Sequence, residues 1–552
     1  MFQVLSRVLG LSSSTSTKRD QKKKARRFQP NVEALETREV PTATLFKDVN
    51  VGPESSTPQE LVNVNGTLFF SADDGIFGRE LWMRRGNVVQ KVLDIRPGPD
   101  GSNPTELTEV GNRLYFSADD GLHGRELWRT VVGPNGAILA THLVQDINPG
   151  IASSDPGELT AFAPNPDRFN PSKTDSSKAV RLYFAATHIS FGRELWTTPG
   201  RNAIIERIEI NPGTADSAPS YLTVAKVRQR GRLINVLYFA ADRLGFGREL
   251  WRTNLRGQAA GIVMDIRGGA EGSNPFNLTK VSPRNPDRAD TVFLGADNGF
   301  FGAELWRSNG QFAGTFLIED INPGGPDSHS LEESATTLMA EFKHRLYFAA
   351  DDGRVGRELW RSGRARGSAT LVRDINPGVN SSNPTAQEHP LPKLRNLIFR
   401  RRRPDNVFVD HLLFFGADNG TMGGEPWRTS GTFGGTVILR DIRVGPDSSL
   451  IQNELVGIVF PQRPPTPPER LQPNRRQVLH FAADDGFFGR ELWRSDGNIN
   501  NPLFNTRRDE TDINPGPPSS TPSFFEISPG GVFFAADKDF LGRELWRVNP
   551  IP

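Results

Sequence analysis

The sequence predicts an all-β repeat protein, a β-propeller of nine four-stranded antiparallel blades. Three observations carry that prediction. The stretch FSADDGIFGRELW, ending at Trp82, returns eight more times, at Trp128, Trp196, Trp251, Trp306, Trp360, Trp427, Trp493 and Trp546. Every tryptophan of the 552-residue chain stands in this motif, and self-similarity at a spacing of about 50 residues marks a repeat architecture. Glycine and proline are abundant, at 54 and 42 residues, which suits many short strands joined by tight turns. A single core rarely outgrows ~300 residues, but repeat folds escape that limit because each unit packs only on its neighbours.

The second copy shows the unit most plainly. It reads PTELTEV, GN, RLYFSADD, GLHG, RELWRT, a variable loop, then THLVQDINPG. Strand A is LTEV. Strand B is LYFSA, with large and small residues alternating at period two. Strand C is RELWRT and strand D is HLVQDI. Gly-Asn joins A to B, and Asp-Asp-Gly-x-x-Gly joins B to C, both turn chemistry. INPG and SSxP lead from D to the next A, where proline and glycine forbid further pairing. The repeat region opens on a D strand, TLFKDVNVG with Asp48, and closes on the C strand GRELWRV with Trp546. In a ring the N-terminal strand therefore completes the last blade. Nine blades exceed the usual four to eight; an open array or two smaller rings are the alternatives.

Residues 1–40 differ from the repeat region at 41–552. They hold nine Lys/Arg against four Asp/Glu and read as a basic, disordered tail resembling a targeting segment. The basic run follows the weak apolar stretch, so the order required of a secretory signal is not met. No run of about 18 apolar residues exists to cross a membrane as a helix. The net charge of +2 makes no general case for nucleic acid. The absence of cysteine removes disulfides, thiolate nucleophiles and Cys-based metal sites.

Two resemblances rest on these residues. Residues 26–42, with the core Leu35, Glu36, Thr37, Arg38 followed by Val40 and Pro41, resemble the LExR-type N-terminal segment of large exported or surface proteins of planctomycete bacteria. That resemblance implies export. The repeats are similar to the ELWxxDGT, or hyalin-like, repeats of bacterial proteins across residues 44 to 548. Ser495, Asp496 and Gly497 match the SDGT tail, and Ser430, Gly431 and Thr432 match its skeleton. This second resemblance implies the architecture and an extracellular or cell-surface location, and no reaction.

The copies can be compared with one another. The glycine before Arg-Glu is present in all nine, from Gly78 to Gly542, which implies positive φ or close backbone approach. The glutamate is equally constant: Glu80, Glu126, Glu194, Glu249, Glu304, Glu358, Glu425, Glu491 and Glu544. It lies two residues before the tryptophan, on the same side of strand C. A carboxylate beside a buried tryptophan must be hydrogen-bonded or paired. Each Glu is expected to accept backbone or Arg donors and lock its blade, and the first Asp of each turn to cap that turn. No cofactor is predicted. Calcium is the alternative, since Asp48, Asp94, Asp146, Asp265, Asp320, Asp374, Asp441 and Asp512 add carboxylates on the D strands. No calcium loop motif, metal-ligand spacing of histidines or catalytic triad is present, so no enzyme is predicted.

Insertions enter at 164–178, 226–235, 283–290, 387–410 and 460–477, all between strands A and B. In a propeller these loops share one face with the C–D loops, and insertions gathered on one face often mark the binding face. Several are basic: Arg228, Arg230 and Arg232; Arg400, Arg401, Arg402 and Arg403; Arg475 and Arg476. An anionic glycan or a surface protein is the expected partner of a monomer. Nucleic acid is not, because aromatic residues do not interleave with the arginines. The expected function is a non-enzymatic, exported or cell-surface scaffold or binding module. A propeller enzyme acting on polysaccharide and a calcium-stabilised adhesive repeat protein are the alternatives.

Overall fold

A computed structural model describes residues 43–163, 180–198, 205–254, 259–323, 338–385, 398–402, 408–450, 455, 457–461, 477–497, 507–508 and 513–548. The N-terminal segment at 1–40 lies outside these. Among the described residues no α-helix occurs, and the strands form nine four-stranded antiparallel sheets. The second sheet runs Thr105–Val110, Arg113–Asp119, Arg125–Val132, Ile138–Gln145, in that order across the sheet. These are strands A to D of the repeat, with D beginning four residues earlier than the sequence suggests. The ninth sheet is completed from the other end of the chain: Ala43–Lys47 pairs antiparallel with Gly542–Val548 as its D strand.

Period-two alternation explains how the sheets pack. Thr67–Asp73, strand B of the first sheet, is buried on both faces. Leu68, Phe70 and Ala72 point one way, into a cluster with Phe533 and Leu545 of the ninth sheet. Phe69 points the other way and meets Leu114, Phe116 and Trp128 of the second sheet. The same sharing joins each sheet to the next along the chain. The result is a propeller-like arrangement with its core between sheets rather than inside one. Trp128, Trp196, Trp251, Trp306, Trp427, Trp493 and Trp546 are buried in it, and Trp82 and Trp360 are partly buried.

The constant glycine is required twice over. Gly78 has φ +65°, a left-handed backbone. A Cβ there would also lie 2.4 Å from the Pro99 carbonyl oxygen and 2.5 Å from the Gly101 nitrogen, in the connector to the next sheet. The B–C turn and the D–A connector thus press together at one end of the sheet. Gly86, in the C–D turn, shares the left-handed φ (+61°) but has nothing within 4 Å.

Gly86→Ala should therefore cost about 1 kcal/mol, the backbone penalty alone, and Gly78→Ala about 3 kcal/mol or more. Thermal melts of the two variants side by side check this; equal losses would refute the close-approach explanation.

Candidate functional site

The nine glutamates are used by the fold itself. Glu80 is fully buried and accepts from the backbone N–H groups of Ile95 and Arg96 (3.2 Å each) and Ser102 (2.9 Å), and from the Ser102 hydroxyl (2.6 Å). Ser102 stands in the connector to the second sheet, where its carbonyl accepts the Asp119 N–H at 3.0 Å. Glutamate, connector serine and the next B strand so form one latch between sheets. Among the described residues eight serines make it: Ser56, Ser102, Ser154, Ser217, Ser273, Ser382, Ser449 and Ser520. Glu304 accepts the Ile321 N–H at 3.0 Å; its connector at 324–337 lies outside the described residues. The expected arginine donors are replaced by serine. Arg79 turns instead to the carbonyls of Thr57 and Ser71.

The turn aspartates are occupied as well. Asp73 Oδ1 accepts the Gly75 N–H at 2.8 Å, and Asp74 Oδ1 accepts from Ile76 and Phe77. The same pattern recurs at Asp119 and Asp120, and at Asp484 and Asp485. Among the described residues no group of three or more His, Asp or Glu is placed to hold a metal ion. The turn aspartates and strand-C glutamates are spent on N–H groups of their own turns and connectors, whereas the D-strand Asp48, Asp94, Asp146, Asp265, Asp320, Asp374 and Asp441 each leave a buried Oδ1 without a hydrogen-bond partner among the described residues.

The basic insertions are not a set of loops. Arg228 is the penultimate residue of strand A of the fourth sheet, Ser220–Gln229, and Arg232 begins strand B, Arg232–Arg243. Arg230 is the exposed turn between them, at φ +47°. This insertion therefore lengthens a hairpin. Arg228 donates to the carbonyls of Gly231 (3.1 Å) and Asp287, which braces the neighbouring insertion. Arg400, Arg401 and Arg402 lie in strand Ile398–Arg402, paired with Asp410, Val409 and Phe408. Arg403, Arg475 and Arg476 lie outside the described residues.

Two features were not singled out from sequence. The first is a row of carboxylates on the inner strands. Glu60, Glu106 and Glu158 open strand A of sheets one to three in left-handed backbone, φ 58°, 61° and 58°. Each Oε2 accepts an N–H of the next sheet, from Leu107, Leu159 and Leu222 at 3.0 to 3.3 Å. Tyr221, Asn277 and Phe524 take the same backbone conformation in sheets four, five and nine without a carboxylate. The signal was QELV, TELT and GELT against SYLT and FNLT.

The second feature is the face formed by the B–C turns and D–A connectors. Ile76, Leu122, Ile189, Leu244, Phe300, Phe487 and Phe540 stand at seven of the nine turn tips and are 68% to 89% exposed. Arg354 and Thr421 hold the other two tips. Val51, Ile151, Val379 and Val444 in the connectors are more than four-fifths exposed or close to it, at 80% to 85%. Large apolar side chains exposed together on one face are the signature of an interaction surface, whereas scattered ones need no explanation.

No family model matches the chain, and no curated protein matches it. Among solved structures it is similar to a puromycin hydrolase, at 12% identity and a TM-score of 0.34, over 80% of this chain and 61% of that one. It is also similar to a puromycin-hydrolyzing peptidase of Mycobacterium tuberculosis (11%, 0.32, 81% and 61%) and to a structure from work on two prolyl endopeptidases (11%, 0.32, 79% and 54%). The chain thus spans about six-tenths of the length of those proteins or less. A likeness this distant carries no activity or site to this chain. The structures named are of a hydrolase and of peptidases, whereas a non-enzymatic, exported or cell-surface scaffold was the expectation. The repeat records what packs the sheets, and chemistry on such a fold is a matter of other residues. That expectation and its polysaccharide and calcium alternatives are set aside.

Burial pushes the latch carboxyls up, against the pull of their donors: Glu126, Glu358 and Glu425 to about 7, and Glu544 to about 6. Burial also pushes Glu60 up to about 7. A raised carboxyl binds its proton more tightly folded than unfolded, so stability is fullest below about pH 4.5 and falls as pH rises towards 7. Buried His480, pushed down to about 3, acts in the opposite sense below pH 6.5. Burial raises Glu80, Glu106, Glu158, Glu194 and Glu249 as well and lowers His142 and His188, so ten glutamates against three histidines predict a higher Tm at pH 5.5 than at pH 8. Melts across that range check it, and the reverse order would show the latch carboxyls to be ionised throughout.

Proposed function

We propose that the nine sheets close into one ring and that this propeller works by docking a protein partner on its turn face. The closure reading is supported by the latch between the last sheet and the first. Glu544 accepts from Val49 N–H, Ser56 N–H and the Ser56 hydroxyl at 2.7, 2.8 and 2.7 Å, and the Ser56 carbonyl accepts the Asp73 N–H. These are the bonds that join sheets one and two.

The docking reading is carried by the seven exposed apolar tips. Burying one Leu, Ile or Phe side chain is worth about 1.5–3 kcal/mol. Association costs about 4–15 kcal/mol in lost freedom, so a partner must cover several tips together. A separate catalytic body is one partner of this kind. The proposal departs from the sequence expectation in both face and chemistry, since it places the partner opposite the basic insertions.

Closure is tested by comparing Ser56→Ala with Ser102→Ala. In a ring each removes one donor from a buried carboxylate, at about 1–3 kcal/mol, and the two losses should be similar. In an open array Ser56→Ala would leave Tm nearly unchanged. Docking is tested by the triple variant Phe300→Ser, Phe487→Ser, Phe540→Ser. A partner captured in stoichiometric amount from the source organism should be lost with the variant while Tm is kept. Capture by both proteins, or by neither, would refute the proposal. A peptide-hydrolysis assay of the captured complex shows whether the partner is catalytic.

A further inference from the structure

The docking reading above says that the partner is apolar; the charges around the tips say more. Exposed acids stand between the tips: Asp100, Asp155, Asp216, Glu271, Asp447 and Asp539. Against these the same face exposes two arginines at its tips and turns, Arg243 and Arg354. The partly buried arginines do not restore the balance: Arg248 and Arg543 are each matched by one carboxylate, Asp242 and Asp537, and three others are each shared between two. Arg96 meets Asp119 at 2.7 Å and Asp100 at 3.2 Å. Arg267 meets Asp297 at 2.7 Å and also Glu271. Arg443 meets Asp484 at 3.2 Å and Asp447 at 3.4 Å. Each trio carries a net charge of −1. Each stands at the foot of an apolar tip, since Asp119, Asp297 and Asp484 open the turns that bear Leu122, Phe300 and Phe487.

We infer that the turn face takes a protein segment that is cationic as well as apolar, an amphipathic stretch bearing Lys or Arg beside large aliphatic or aromatic side chains. Apolar groups of such a segment cover the tips, while its cations meet the outer carboxylates of the trios, Asp100, Glu271 and Asp447. These three are the outward members, with side chains 73%, 74% and 71% exposed, whereas their partners Asp119, Asp297 and Asp484 are tied into the turns. Opposite charge across an interface steers encounter and selects partners, and it weakens as salt shortens the Debye length from ~30 Å at 0.01 M to ~8 Å at 0.15 M. An anionic glycan is disfavoured on this face by like charge. The whole chain has a net charge of +2, so attraction of a cation to it would be a property of this face and not of the molecule at large.

The test uses the full chain and two fluorescein-labelled synthetic helical peptides of equal length, one of Leu and Lys and one of Leu and Glu, read by fluorescence anisotropy. The Leu–Lys peptide should bind at least tenfold tighter than the Leu–Glu peptide at 25 mM NaCl, and at least tenfold more weakly at 300 mM. The variant Asp100→Asn, Glu271→Gln, Asp447→Asn should lose at least fivefold for the Leu–Lys peptide and keep its Tm. The triple serine variant at Phe300, Phe487 and Phe540 should lose binding of that peptide. Equal binding of both peptides, abolished by the serine variant, would overturn the charge inference and leave apolar docking standing. Leu–Lys binding that ignores the serine variant would overturn apolar docking, and binding of neither peptide would overturn both. Binding to phosphatidylcholine vesicles in preference to either peptide would replace the protein partner by a lipid surface.

Discussion

The structure depends on a buried glutamate that has no business in an apolar core unless something meets it. Strand C of every sheet brings one, two residues from a tryptophan. Leaving such a charge unpaired would cost several kcal/mol, so the chain must return donors to it. It does so with the segment that leaves the sheet. Backbone N–H groups and a serine hydroxyl of the D–A connector close on the carboxylate, and the serine carbonyl then takes the next sheet's B strand. One polar requirement thereby fixes where a sheet ends, how the chain departs and where the next sheet begins. The neighbouring glycine has to be glycine for the same reason, because the connector backbone lies against its α-carbon.

Much of this was legible. Alternation in LYFSA marked strand B, and the glutamate's place beside the tryptophan demanded donors. The serine partner was also in view, in the repeated SSxP and SNP of the connectors, but these read naturally as turn residues. A side chain twenty residues away in sequence announces itself as a partner only when the fold is known. The insertions show a different limit. Their length and charge were plain, yet whether added residues bulge out or pair with each other depends on register. In the fourth sheet Lys226 pairs with Asn235 and Arg228 with Leu233, which makes strand out of what reads as loop.

The turn face was missed because its side chains differ from copy to copy. Comparison of repeats singles out positions that stay the same, and those turn out to be the ones that hold the sheets together. The tips vary among Ile, Leu, Phe, Arg and Thr. No packing constraint acts on a side chain more than two-thirds exposed, so identity drifts while apolar character persists in seven places. The three inner-strand glutamates were missed for the converse reason. They are confined to the first three sheets, and a comparison that asks what all nine share passes over what only three possess.

The strand Ala43–Lys47 has a further consequence at the ribosome. It is translated before every other described strand, and its partner Gly542–Val548 comes after all the rest. Eight sheets can assemble in order as the chain emerges, each on its predecessor. The ninth must wait, with its edge strand held some 500 residues from its mate (a separation of 503 between Thr44 and Arg547). Closing so long a loop is not expensive once the intervening chain is folded, because that chain has already brought the two ends near. Before then an unpaired edge and the apolar faces of the first sheet stand open to any other nascent copy. Until Gly542–Val548 is made, Ala43–Lys47 has no partner strand, so the two ends of the repeat region depend on each other.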